Sequence, residues 1–322
     1  RANTRNGHSP RRLISARGPL DVSMPRDRAG SFTPALVPKY LRRLPDFDEK
    51  VLLLYAQGLS TRDIQAHLKE LYGTHVSPDL VSEVTDSLIP LVEAWQVRPL
   101  PCCFVVLFID ALFVKVRIDG HVETRPMITV LGIDLAGEKQ VLGLWLLRHE
   151  SASAYAQVLT DLQARGVEDV LVVATDGIAG ADEAVTAIFP MARHQHCLVH
   201  QMRSSLRLVT QKDRKAVAAS LKAIYAAPTE AEAQVRFDAA EAQWGQPYGA
   251  VFVSWRRVWG SLMAYYALPV GLRSVLRTTN AVEAVHRVLR AGLKRRGALP
   301  SETAVRVEVP SAASRSTSWP AP

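Results

Sequence analysis

The spacing of hydrophobic and polar positions changes character along this chain, and each change predicts a different kind of element. Residues 1 to 45 show little apolar periodicity and are rich in Arg, Pro, Gly and Ser, which predicts an extended or partly disordered basic arm. From Asp46 to Trp95 the apolar positions recur at helical spacing. Asp46 and Glu49 form a capping-box-like start to a first helix that Gly58 would stop, and Ser60 with Asp63 opens a second that ends at Gly73. Ser77-Pro78-Asp79 opens a third, carried on by Val81, Val84, Leu88, Leu91 and Trp95, with Pro90 kinking or shortening it. The next hundred residues read as strands near 104 to 118, 122 to 134 and 140 to 148, with turns at Asp119-Gly120 and Gly137-Glu138. A helix at 152 to 165, a strand ending at Asp176, a helix at 181 to 189 and a short strand at 192 to 198 follow. Residues 200 to 275 are helical in pattern, and a last helix runs from Asn280 to Arg296 before Gly297.

Three antiparallel strands followed by α-β-α-β is the element order of an RNase H-like fold, in which the first and fourth strands lie side by side. The expected class is therefore α/β: an RNase H-like catalytic core with an inserted all-α subdomain, preceded by a small helical, helix-turn-helix-like domain. The corresponding segments are the arm 1–45, a helical DNA-binding or assembly domain 46–98, the core 100–199, the insertion 200–275, a core helix 276–305, and a disordered or aberrant tail 306–322. The third helix of the small domain carries Asp79, Glu83 and Asp86 and no Lys or Arg, so a packing or assembly role fits it better than base reading. Arg62, His67 and Lys69 on the second helix are the better DNA contacts.

Three carboxylates stand out against this frame. Asp110 lies in Phe104-Val-Val-Leu-Phe-Ile-Asp110-Ala-Leu-Phe-Val114, apolar on both faces like a central strand. An ionised Asp there is costly without a partner, for which Lys115 or Arg117 bending back is one candidate and a cation another. Asp176 ends the run Val170-Leu-Val-Val-Ala-Thr-Asp176, at the carboxyl edge where open α/β sheets hold their ligands, although a turn or helix-capping role before Gly177 is also common. Glu283 heads a basic helix face continued by Arg287, Arg290 and Lys294, while Val282, Val285, Leu289 and Leu293 form its apolar stripe. Taken alone, Glu283 reads equally well as a helix cap paired with Arg287. Converging carboxylates repel one another unless cations are bound. Two Mg²⁺ ions roughly 3.5–4 Å apart would relieve this, Asp110 bridging both and Asp176 and Glu283 holding one each. Asp119, Asp134 and Asp161 read as turn or surface residues.

Composition sharpens the picture modestly. Of 322 residues 48% are hydrophobic, enough for a sizeable core, and the formal net charge is +8, which favours polyanionic partners. The arm alone carries Arg1, Arg5, Arg11, Arg12, Arg17, Arg26, Arg28, Lys39, Arg42 and Arg43 against Asp21 and Asp27, as a solvated tail or a phosphate contact. No apolar run is long enough for a membrane span, no signal-peptide pattern opens the chain, and three cysteines make no disulfide framework. A reducing cytoplasm, with nucleoid association, is the expected setting. Cys102 and Cys103 are expected in the core.

Several ordered blocks resemble the mutator-type transposases of prokaryotic insertion sequences. They are Pro25-Arg-Asp-Arg-Ala-Gly-Ser-Phe32, Leu59-Ser-Thr-Arg-Asp-Ile-Gln-Ala-His-Leu68, Asp110-Ala-Leu-Phe-Val-Lys-Val-Arg117, Val141-Leu-Gly-Leu-Trp145, Asp176-Gly177, Cys197-Leu-Val-His200, Asp213-Arg-Lys-Ala-Val-Ala-Ala219, and Thr278-Thr-Asn-Ala-Val-Glu283. The resemblance covers about residues 20 to 305. It implies a DDE enzyme with an RNase H-like core, Asp110, Asp176 and Glu283 as its catalytic triad, and Cys197 and His200 as structural residues beside the core, half a zinc site at most. It also implies Mg²⁺, with Mn²⁺ as substitute, double-stranded DNA partners in the form of terminal repeats and target, and a homo-oligomer that handles two DNA ends. Members of the family have a longer amino-terminal region, continue into further helices after Ala304, and often carry Asn where His286 stands here.

The expected activity is thus metal-dependent DNA cleavage and strand transfer at the ends of an insertion sequence. The alternative is a catalytically inactive, truncated remnant that only binds DNA; a metal-dependent nuclease without strand transfer is the third reading. If the basic arm contacts phosphates, deleting residues 1 to 30 weakens DNA binding and flattens its salt dependence in a titration, whereas an unchanged slope excludes the arm.

Overall fold

The computed structural model describes residues 3–305 except 36, 40, 58, 74, 278, 279, 300 and 303. The tail 306–322, the Gly58 stop and the Thr278-Thr279 part of the last block lie outside the described residues, as does the Lys294 side chain. The chain divides into two units, Arg1–Glu93 with Leu289–Ala312, and a second built on Ala94–Val288.

In the first unit the arm is ordered where disorder was an option. Strands β1 (Arg5–Ser15) and β2 (Gly18–Asp27) pair antiparallel, with Leu13 opposite Leu20 and Arg12 opposite Asp21. Leu13 is fully buried and Met24 nearly so, while Arg12 and Asp21 form an exposed cross-strand ion pair at 2.8 Å. Arg and Pro dilute the alternation below what a periodicity reading detects, yet two buried apolar anchors and a two-residue turn before Gly18 are enough for a hairpin.

Four helices follow: α1 (Pro45–Ala56), α2 (Thr61–Tyr72), α3 (Pro78–Asp86) and α4 (Ile89–Gln96). The Ser60–Asp63 capping box forms as expected, Gly73 closes α2 in the left-handed conformation, and Ser77 caps α3 with Pro78 behind it. One expectation is corrected: α1 begins at Pro45 behind Leu44, with no side-chain cap, so Asp46 and Glu49 do not make a box. The third helix is shortened ahead of Pro90 as expected, because Pro90 has no N–H to continue α3 and instead suits the first turn of α4. Phe47, Val51, Ile64, Leu68, Val81 and Val84 make the shared core. Glu83 of the acidic α3 pairs with Arg43 at 2.9 Å, a packing use of that helix, and Arg62 and Lys69 stand exposed on α2.

The second unit is mixed α/β, built on a five-stranded mixed sheet. Strands β3 (Cys103–Ile118), β4 (His121–Ile133), β5 (Lys139–Leu146), β6 (Asp169–Thr175) and β7 (Arg193–His196) lie in the order β5-β4-β3-β6-β7. β3 pairs antiparallel with β4 and parallel with β6, so its first and fourth strands are neighbours as the element order predicted. Centrality explains the two apolar faces of β3: Leu107 and Ile109 pack into a core with Tyr155, Leu159 and Leu162 of α5 (Ala152–Ala164) and Val185 of α6 (Ala181–Ile188). Asp119 and Gly120 take the turn with positive φ, and Asp134 Oδ1 accepts from the Ala136 and Glu138 amides at 2.9 Å, the turn roles expected of both. Cys102 and Cys103, expected in the core, are instead exposed and half-exposed at the start of β3, with Sγ atoms 3.4 Å apart.

After β7 the chain is helical through α7 (Leu198–Arg207), α8 (Arg214–Tyr225), α9 (Glu230–Arg257), α10 (Trp259–Leu262), a 3₁₀ turn (Ala264–Ala267) and α11 (Val270–Arg277). Pro247 breaks the regularity of α9 at Tyr248, whose hydroxyl donates to Asp213 at 2.6 Å. The buried Trp255 donates to Ser205 at 2.8 Å and ties α9 to α7. The last helix, α12 (Asn280–Arg296), follows.

Because Leu13 is wholly buried, Leu13→Ala should cost about 2–5 kcal/mol in chemical denaturation of the first unit. A disordered arm would show no change.

Candidate active site

The parallel pairing of β3 and β6 sets the geometry. Phe108 lies opposite Ala174, and carrying that register two residues onward brings Asp110 level with Asp176. Both side chains line a small cleft with Phe108, Thr175, Gln195, Cys197, His200 and Leu276. Asp176 follows the last residue of β6, and Gly177 takes φ of +84°. A Cβ at Gly177 would stand 1.7 Å from the His196 ring, so the turn that delivers Asp176 requires glycine.

Asp110 is partnered by histidines, not by Lys115 or Arg117, which stand exposed. The Nδ1 atom of His286 lies 3.2 Å from Oδ2 and His200 Nε2 lies 3.9 Å from Oδ1. Burial works to raise the Asp110 carboxyl, but contact with His286 and the charges of His286 and His200 outweigh it and hold the group below its usual range. His286 is 1% exposed, and neither ring nitrogen has hydrogen-bond geometry to any neighbour, so its approach to Asp110 is close without being a linear bond.

Asp176 has the opposite balance. Burial raises its carboxyl and the Asp110 charge adds to this, against the hydrogen bond that Tyr155 donates to Oδ1 at 2.8 Å. Tyr155 is fully buried on α5, and its hydroxyl also lies 3.5 Å from Glu150 Oε1. Glu150, just ahead of the α5 cap Ser151, is a fourth carboxylate at the site; burial first, then the Asp176 charge, push it up to about 7. Sequence reading passed over Glu150, Tyr155 and the contact of His286. The only signal was Glu150 standing between the end of β5 and a capping Ser, a position that topology carries to the carboxyl edge of the sheet.

Glu283 reaches the neighbourhood through its helix. It lies one turn before His286 on the same face of α12, so the residue that touches Asp110 and the third carboxylate share that face. Its side chain is paired with Arg203 of α7, not with Arg287. Among the described residues no group of three or more His, Cys, Asp or Glu is arranged to hold a metal ion. Arg287 and Arg290 are exposed on α12; Val285 and Leu289 are buried as the apolar stripe required, and His286 is buried with them. Cys197 is buried and lines the cleft, and burial raises its thiol to about 11. The neighbouring His196 is pushed down to about 4 by burial and stays neutral.

The Glu150 shift has a pH consequence. A carboxyl raised from 4.5 to about 7 on folding binds its proton more tightly in the native state, so it favours folding when protonated, and that contribution is lost as pH rises from about 4.5 through 7. In buffer free of divalent cations, Glu150→Gln should therefore match the parent near pH 4.5 and exceed its stability at pH 8, measured by urea unfolding; parallel curves across this window would contradict the shift.

Residues 1–318 match the family model described as Transposase, Mutator family. The transposase for insertion sequence element ISRM3 of Rhizobium meliloti (strain 1021) is 43% identical over 94% of this chain and 76% of its own length. A probable transposase for an insertion sequence element of Corynebacterium diphtheriae is 42% identical over 87% of this chain and 82% of its own. A chain in the CryoEM structure of the simian T-cell lymphotropic virus intasome in complex with PP2A regulatory subunit B56 gamma aligns over 56% of this chain and 69% of that one, at 11% identity and a TM-score of 0.21, too low to bear on the fold. By the family match and by these relatives, the chain belongs to the Mutator family of transposases.

Proposed function

We propose that this chain cuts and joins DNA at the ends of an insertion sequence by metal-dependent, DDE-type chemistry on an RNase H-like core, with Asp110, Asp176 and Glu283 as its acidic triad. The observation that carries this reading is the β3–β6 pairing, which, continued past Phe108 and Ala174, leads to two partly buried carboxylates that line one cleft at the carboxyl edge of the sheet. The donor set fits a hard divalent cation: it is all carboxylate oxygen, and the charge of Asp110 raises Asp176 in the way that uncompensated neighbours do. Asp110 and Asp176, joined by Glu283 once it parts from Arg203, would hold two Mg²⁺ ions, with Mn²⁺ as a substitute. Bound there, such ions supply Lewis acidity for in-line displacement at phosphorus.

The protein's own groups supply the rest. His286 and His200 fix the Asp110 carboxylate from two sides, and Tyr155 fixes that of Asp176. Arg203, which pairs with Glu283, is a cation that phosphate could draw away. Exposed Arg287, Arg290, Arg62 and Lys69, with Lys294, would bind the backbone of terminal-repeat and target DNA. Water, and then the freed 3′-hydroxyl, attacks a phosphodiester: one P–O bond forms as another breaks, and no covalent enzyme intermediate is required. Handling two ends together calls for a homo-oligomer, and work on chromosomal DNA calls for a nucleoid-associated protein.

One observation favours a second reading, a protein that binds DNA without cutting it: Glu283 is held by Arg203 and does not complete a three-group metal set. Incubating the protein with Mn²⁺ and DNA carrying the terminal repeats that flank its gene separates the two. The proposal predicts nicked and joined products from the parent and rates below about one-hundredth of it for Asp110→Asn and Glu283→Ala. Binding without cleavage by all three establishes the second reading.

A further inference from the structure

β7 is a strand without an apolar residue. It reads Arg193-His-Gln-His196, yet the side chains of His194, Gln195 and His196 are buried, and buried polar groups are unfavourable unless they are bonded. Gln195 meets this with the backbone, donating to the carbonyls of His196 and Leu262 at 2.8 Å. His194 meets it at the turn that delivers Asp176. Its Nε2 lies 2.8 Å from the Thr175 hydroxyl, and its Nδ1 lies 3.2 Å from Oδ1 of Asp182 in the first turn of α6. Burial lowers the imidazole against the charges of Asp182 and Glu183, so the ring is neutral at neutral pH. A neutral ring keeps its one proton on the nitrogen beside the carboxylate, because a lone pair there would be repelled. Nε2 is then the acceptor, and Thr175 donates its hydroxyl proton to it. Thr175 is 1% exposed, so solvent does not stand in for the imidazole. With that proton directed to β7, Oγ1 keeps its lone pairs for the Gly177 amide, which donates to it at 3.3 Å. The Thr175 carbonyl accepts from the Cys197 amide at 2.8 Å. Both peptide planes that flank Asp176 are therefore tied to the β7 side, one by backbone and the other through Thr175 and His194, and two fixed planes determine where the Cα between them sends its side chain.

We infer that His194 is a positioning residue for DNA cleavage, holding Asp176 in the cleft through the Thr175 hydroxyl and the Gly177 amide. The inference rests on the reading above that gives Asp176 a place in the acidic triad, and deepens it. His286 and His200 approach the Asp110 carboxylate itself, whereas His194 works at one remove, on the backbone that carries Asp176. Asp182, exposed on α6, selects which nitrogen of His194 holds the proton, and so which way the Thr175 hydroxyl points.

The test compares the full chain with His194→Leu, His194→Gln, Thr175→Val, Thr175→Ser and Asp176→Asn, by two readouts. The first is nuclear magnetic resonance of protein labelled at its histidine and glycine nitrogens, without metal or DNA. The His194 ring, identified by the signals that His194→Gln lacks, should carry its proton on Nδ1 with Nε2 as an acceptor, and the Gly177 amide signal should move in Thr175→Val and His194→Leu but stay near its parent position in Thr175→Ser. The second readout is Mn²⁺-dependent cleavage of terminal-repeat DNA. Turnover at saturating DNA should fall about tenfold or more in His194→Leu and in Thr175→Val, while the half-saturating DNA concentration stays within about twofold of the parent's. The two substitutions combined should lose no more than either alone, because both cut one path. His194→Gln, whose side-chain carbonyl can accept from Thr175, and Thr175→Ser should recover most of the rate. A proton on Nε2, or parent-like turnover in His194→Leu beside a loss in Asp176→Asn, would overturn the role of His194 and leave the triad standing. No cleavage by the parent, or parent-like cleavage by Asp176→Asn, would overturn the triad reading and this role with it. Should His194→Leu fail to fold, Thr175→Val and the parent's own ring signals decide the matter.

Discussion

The burial of two like charges side by side is the constraint on which the site depends. Asp110 lies within the central strand and Asp176 just beyond the end of its parallel neighbour, two residues past the last pair, Phe108 with Ala174, and both line one cleft. A shift of one residue would turn Asp110 to the other face of the sheet, so the apolar pattern that fixes β3 in register also fixes the chemistry. The two carboxylates are compensated differently. Asp110 has histidines and stays acidic; Asp176, raised by burial and then by the Asp110 charge against a single tyrosine hydroxyl, becomes less so.

The surrounding structure serves that arrangement. The apolar face of α5 fills the core with Tyr155, Leu159 and Leu162, and the same tyrosine turns its polar end to Asp176. Gly177 allows the chain to leave β6 at an angle no other residue permits beside His196.

Much of this was legible in the chain. The strands of the core fall within about two residues of their expected limits, because a central strand with two apolar faces and Gly-marked turns leaves few alternatives. The adjacency of Asp110 and Asp176 followed from element order alone. What escaped notice depends on tertiary contact. Glu150 lies in a connection and His286 inside an apolar stripe, and neither has a local pattern that marks it. Arg203 is distant in sequence from Glu283, so no helical spacing could announce their ion pair. The β1–β2 hairpin was obscured for a different reason: its burial rests on few side chains, and its arginines and prolines resemble the composition of a disordered arm.

The most direct test of the account is where a cation sits. Crystals of the protein soaked in Mn²⁺, with data collected for its anomalous signal, should show a peak coordinated by both Asp110 and Asp176. Mn²⁺ bound elsewhere, with these two carboxylates keeping only their histidine and tyrosine partners, would contradict it.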